Sequence, residues 1–122
     1  MAKQDLVQHI DAIIRFHPAI RFAVLAEKNG TILDAVKRAG VEAMEPRGET
    51  GPITERYAGI YELVQGSDPY FGTAHMLIFA REKLIEMVIP TPADLVIITA
   101  HPSFPLDKAA SLERLAMSIS RG

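Results

Sequence analysis

Cysteine is absent from this 122-residue chain. That excludes disulfides, thiolate nucleophiles and any cysteine-based zinc or iron–sulfur site. An excess of one charge sign is missing as well: 13 Lys and Arg face 15 Asp and Glu, for a formal net charge of −2. Such a balance leaves no electrostatic footprint for nucleic acid or an acidic membrane surface. Long apolar runs are also lacking. Even Leu95 to Ala100, which includes Thr99, lies between Asp94 and His101, well short of the ~20 residues a membrane helix needs. The stretch from Met1 to Val7 holds no continuous apolar segment of the kind a secretory signal carries. The expectation is a cytoplasmic, soluble protein with no membrane insertion. Catalytic signatures are missing too. Neither a G-x-S-x-G elbow, a G-x-x-x-x-G-K loop nor a G-x-G-x-x-G loop occurs.

What is present is ordinary globular sequence, 48% hydrophobic and 23% charged. Its length is that of one domain, so residues 1–122 are expected to form a single unit. Leu6, Val7, Ile10, Ile13 and Ile14 recur at helical spacing, with Gln4, Asp5, Gln8, Asp11 and Arg15 opposite. This predicts an amphipathic helix ended by Pro18. Residues 20–28 and 31–37 then read as an antiparallel hairpin about Asn29-Gly30, two residues that tolerate positive φ. Residues 38–52, with Gly40, Pro46, Gly48, Gly51 and Pro52, read as a long loop.

A second helix follows, with Thr50 or Gly51 as cap and Gly66 as stop. Its apolar arc of Ile53, Tyr57, Ile60 and Val64, widened by Tyr61 and Leu63, is broad enough to touch its own sheet and a second surface. The rest reads as Phe71 to Ala80, Leu84 to Ile89 and Leu95 to Ala100 as strands, with turns at 81–83 and 91–93. The last strand is β-branched on both faces and should be central. A final helix runs from about Leu106 to Ser120, burying Leu112, Leu115, Ala116 and Ile119. The class is thus α+β in layers, ordered α-β-β-α-β-β-β-α.

This order resembles the roadblock-like family of the roadblock/longin superfamily, with a profilin-like topology. The likeness is closest to small archaeal members of unassigned function. It is carried by Ile20-Arg21-Phe22-Ala23 leading into Asn29-Gly30, by Arg81-Glu82-Lys83 between two hydrophobic strands, and by Leu95 to Ala100 before a short proline-containing link. The resemblance implies a five-stranded antiparallel sheet with the first and last helices on one face and the middle helix on the other. It also implies a homodimer through the middle helix and third strand, and a scaffold or regulator acting on a small GTPase rather than an enzyme. The expected interface comprises Ile53, Tyr57, Ile60, Tyr61 and Val64 on the helix and Phe71, Thr73 and His75 on the strand. Tyr57 and Tyr61 carry an apolar ring and a polar tip, a side-chain type enriched at interfaces.

Polar chemistry is sparse. No two of His9, His17, His75 and His101 share a helical ligand spacing. His9 reads as solvated and His75 as a strand residue. His17 and His101 both precede proline at element ends. In the roadblock strand order they would lie near one another as a polar or metal site, but no third ligand type stands at usable spacing. Ser103 with His101 and Asp94 or Asp107 lacks the elbow of a serine hydrolase. Glu42, Glu45, Glu82 and Glu86 read as solvated carboxylates. Gly48-Glu49-Thr50-Gly51 lacks the Lys of a phosphate loop, and Glu49 repels phosphate. Lys37-Arg38 and Arg81/Lys83 are isolated basic pairs, and Arg121-Gly122 is a fraying end. No cofactor or metal is expected.

Two functions other than a dimeric scaffold remain open. One is a small-molecule sensor with the 38–52 loop as lid, which requires a pocket of a few hundred Å³ beneath that loop. The other is an enzyme using His101 and a carboxylate, which requires a cleft at His101.

Overall fold

A computed structural model describes residues 3–119, with side chains from Ile10 onward. The expected places of Leu6, Val7 and His9 on the first helix lie outside the described side chains. Ser120 and the Arg121-Gly122 end lie outside the described residues. The elements are α1 (Lys3–Phe16), β1 (Ile20–Glu27), β2 (Ile32–Lys37), α2 (Thr50–Val64), α3 (Asp68–Phe71), β3 (Leu77–Ala80), β4 (Ile85–Pro90), β5 (Asp94–Ala100) and α4 (Ala109–Ser118). Every pairing is antiparallel, in the order β2-β1-β5-β4-β3. The residue pattern of β5 is explained by its place at the centre, with β1 on one side and β4 on the other. Alternation along it sends Val96 and Ile98 to one layer and Leu95 and Ile97 to the other.

The first layer holds α1 and α4. Ile10, Ile13 and Ile14 of α1 and Leu112, Ala116 and Ile119 of α4 close over Leu25, Met87 and Ile98. Arg38 fixes α1 at its C-terminus: its guanidinium donates to the carbonyls of Ile14, His17 (2.8 Å) and Ile20 (2.6 Å). Carbonyls at a helix end have no intrahelical donors, so Arg38 is a structural clamp and not a solvated charge. The second layer holds α2, whose Tyr57, Ala58 and Tyr61 cover Val24, Leu95, Ile97 and Val88.

Several local expectations need correction. Only Gly30 of the Asn29-Gly30 pair takes positive φ, at 94°. Asn29 instead accepts a hydrogen bond from Thr31 N on its side-chain oxygen, at 2.9 Å. A Cβ on Gly30 would stand 2.5 Å from Glu55 Cα, so the hairpin tip rests directly on the α2 backbone. The loop is residues 38–49, because Gly51 and Pro52 already belong to the first turn of α2. Thr50 does not cap that helix; its hydroxyl donates to Glu45 at 3.1 Å. Gly66 does not stop it either. The chain tightens into a 3-10 turn over Gln65–Ser67 and restarts as α3, with proline in its first turn.

Consequently Phe71 to Met76 is not strand, and β3 is only four residues long. Phe71 ends α3, while Thr73 and His75 lie in the irregular segment before β3. The last helix begins with a 3-10 turn at Leu106–Lys108.

Candidate functional site

Two regions on the α2 side of the sheet carry unexplained surface. The first joins the C-terminal end of α2 to the β3 edge. Leu63 and Tyr70 are each 81% exposed and Phe71 is 86% exposed, with Val64 beside them at 39%. The rings of Tyr70 and Phe71 meet edge to face at 6.3 Å between centroids. β3 is one edge of the sheet, and its Leu77-Ile78-Phe79-Ala80 carries no charge. The opposite edge, β2, carries Asp34 and Lys37. Charged edges resist pairing and uncharged ones invite it. Gly59 on α2 is exposed, with open space where a Cβ would stand.

The expected interface residues divide in two here. Tyr57 and Tyr61 are buried on the protein's own sheet, Ile53 and Ile60 are half-buried against the same cluster, and Val64, Phe71, Thr73 and His75 lie outside it. His75 Nδ1 lies 3.5 Å from Glu113. Tyr70 is the residue that sequence reasoning misses. Its signal is an aromatic pair directly after Asp68-Pro69, a helix start that places both rings on one short turn.

The second region is a cleft of about 640 Å³ between the first half of α2, the 38–49 loop and the sheet. Register explains its floor. Phe22 of β1 pairs with Thr99 of β5, Thr99 with Glu86 of β4, and Glu86 with Phe79 of β3. A row of Phe, Thr, Glu and Phe thus crosses the sheet beneath α2. Ile53, Thr54 and Tyr57 form the helical wall, and Met44 and Glu45 of the loop form the lip.

Glu86 is buried at 5% exposure, against the expectation of a solvated carboxylate. Arg81 accompanies it, donating to Glu86 at 3.3 Å and to the Tyr57 hydroxyl at 3.2 Å. Burial, reinforced by hydrogen bonding to Glu86, pushes the Tyr57 hydroxyl above its ordinary pKa. Burial, then the charge of Asp68, does the same for Tyr61. Contact with Tyr57, then Glu86, raises that of Arg81.

His17 and His101 sit on joined elements, since His101 N donates to Ala19 O at 2.7 Å. Each ring nevertheless serves its own loop. His17 Nδ1 accepts from Ala19 N at 3.0 Å, and His101 Nδ1 accepts from Ser103 N at 3.1 Å. The His17 ring also stands edge-on to Phe104, 5.3 Å between centroids. Ser103 Oγ is 2.9 Å from the same His101 Nδ1, but His101 lines neither this cleft nor the one of about 300 Å³ beside His75. No group of three or more His, Asp or Glu able to hold a metal occurs among the described residues.

Comparison with solved structures decides the architecture. A structure described as MglB with a tetrameric arrangement superposes with a TM-score of 0.83 at 17% identity, over 98% of this chain and 88% of that one. The chain has the roadblock fold. The gliding protein MglB of Thermus thermophilus matches with a TM-score of 0.78 at 15% identity, over 96% of this chain and 89% of that one. A Roadblock/LC7 domain from Streptomyces avermitilis matches at 0.70 and 13%, over 92% and 88%. No family model matches the chain, and no curated protein does. The expected five-stranded sheet of a roadblock-like protein is therefore met, while the archaeal affinity is not borne out. Among the described residues no helix is long and apolar enough to cross a membrane.

Proposed function

We propose that this chain is a non-enzymatic homodimeric scaffold or regulatory protein-interaction module, a single cytoplasmic unit over residues 1–122 that works without a cofactor. The carrying observation is the exposed apolar side chains Leu63, Val64, Tyr70 and Phe71 on the segment that leads into the uncharged edge β3. A second copy placed against that edge would continue the sheet and cover these side chains. Burying each large side chain would contribute about 2 kcal/mol. Gly59 would let the paired helices approach closely. The tetrameric arrangement of an MglB with the same fold supports self-association. The resemblance in element order favours a small GTPase as the class of partner, bound on the continuous sheet or the paired α2 helices.

Sedimentation velocity at micromolar concentration tests the dimer. A dimer is expected for the natural chain and a folded monomer for L63E combined with F71E. A strict monomer in the natural chain overturns the reading. Tyr61→Glu is a poor probe, because Tyr61 is 4% exposed and its substitution disrupts the monomer's own core. Retention of a nucleotide-loaded small GTPase on the immobilised dimer tests the partner class.

A further inference from the structure

The cleft under the 38–49 loop holds two polar atoms that the fold leaves unmatched. Arg21 Nε and Thr99 Oγ1 are buried and have no hydrogen-bond partner among the described residues. Both residues line the cleft. Phe22, the residue after Arg21, pairs with Thr99, and the strand register shifts between Ile20 and Phe22, at Arg21. Buried polar groups are rarely left in this state. The rest of the Arg21 guanidinium is anchored, because Nη2 donates to the carbonyl of Glu42 in the loop at 2.8 Å. That bond engages Nη2 and leaves the Nε–H without a partner.

The two donors set the chemistry of a group that would match them. An Nε–H can only donate, and a Thr hydroxyl can donate as well. Both therefore suit one acceptor group, and the guanidinium charge favours an anionic one. Glu86, the other charged group on the floor, is engaged by Arg81 and does not compete for Arg21. The rim does not suit a polyphosphate, because Glu45 and Glu82 stand among Arg56 and Lys83. The apolar part of the lining is Phe22, Val24, Ile53, Ile97, Met44 and the Tyr57 ring, while Thr99 pairs across the sheet with Glu86, whose carboxylate Arg81 holds. A volume of about 640 Å³ lies within the range of small-molecule sites.

We infer that this cleft binds a small amphipathic carboxylic acid, its carboxylate on Arg21 Nε and Thr99 Oγ1 and its aryl or branched-alkyl body against Phe22, Ile53 and Ile97. The 38–49 loop supplies the lip through Met44 and the anchor for Arg21 through Glu42. This site is separate from the β3 edge, so it binds whether or not the chain dimerises.

The test is a ¹H–¹⁵N titration of the full chain with 3-phenylpropionate, 3-phenylpropionamide and acetate as probes, each to millimolar concentration. Expected is saturable movement of the Arg21, Phe22, Ile97 and Thr99 amides with the aryl acid, and much weaker movement with the amide or acetate. Thr99→Val and Arg21→Ala should each weaken the aryl acid roughly tenfold, the loss expected for a hydrogen bond to a charged group. Thr99→Val keeps the β-branched shape of a strand residue, so it remains informative if Arg21→Ala fails to fold. Equal binding of acid and amide, absence of movement at these four amides, or unchanged affinity in Thr99→Val overturns the inference.

Discussion

The two faces of the sheet are built from the same five strands and solve different problems. Against α1 and α4, the strands present Ala23, Leu25, Met87, Val96 and Ile98. Against α2, the same strands present Val24, Ile97 and Val88 in one row, then Thr99 and Glu86 in the next. The first layer is closed by two helices. The second is closed by one helix, two tyrosines and a loop, and leaves about 640 Å³ open. One layer is filled by the side chains of two helices, and the other leaves a cleft with polar groups on its floor. Substitutions put that division to the test.

The largest effect is expected in the closed layer. Leu112 on α4 is fully buried, and Leu112→Ala should cost about 2–5 kcal/mol, the transfer loss plus a cavity. Denaturant unfolding by circular dichroism measures it. A cost below about 1 kcal/mol would mean that this layer is as loosely built as the other.

The next effect lies where the α2 layer touches the hairpin. Gly30 has φ of 94°, and a Cβ there would meet Glu55 Cα at 2.5 Å. Gly30→Ala therefore combines backbone strain with a clash that neither backbone can relieve cheaply. About 1–3 kcal/mol of destabilisation is expected by the same measurement. A neutral outcome would show that α2 can lift off the hairpin.

A smaller effect is set by pH. Tyr57 and Tyr61 have folded pKa values above the ordinary 10.0. A group whose folded pKa is raised contributes stability that is fully present below its unfolded pKa. That contribution is lost as pH rises from about 10 through the folded values, because the unfolded chain ionises first. Alkaline unfolding should thus begin above about pH 10, and Tyr57→Phe should remove part of the slope. An unchanged slope in Tyr57→Phe would place the titration elsewhere.

The closed layer is also the more legible one. Ile10, Ile13 and Ile14 repeat at the spacing of one helical face, and Leu112, Ala116 and Ile119 do the same, so their burial can be read directly. The α2 layer resists reading for three reasons. Gly66 does not take a left-handed backbone, so the helix tightens instead of stopping, and Asp68-Pro69 restarts it. That shortens β3 and moves Phe71 off the strand. The polar row of Thr99 and Glu86 exists only through register across neighbouring strands. And Arg38 looks like a solvated charge until its partners, the carbonyls around the end of α1, are in place, while Arg81, itself mostly exposed, reaches back to Tyr57 and Glu86.

The smallest effect is the most discriminating, because it compares adjacent residues of β5 that face opposite layers. Ile98 is fully buried beneath α1 and α4, while Thr99 faces the cleft with a hydroxyl that has no partner among the described residues. Ile98→Val removes one methylene from a filled layer and should cost about 1 kcal/mol. Thr99→Val replaces an unmatched hydroxyl by a methyl group of similar shape. It should leave stability unchanged or raise it by up to about 1 kcal/mol, since no hydrogen bond is lost and a desolvation cost disappears. The Ile98→Val curve should therefore shift to lower denaturant, and the Thr99→Val curve should stay in place or shift to higher. If Thr99→Val destabilises as much as Ile98→Val, the hydroxyl holds the fold together.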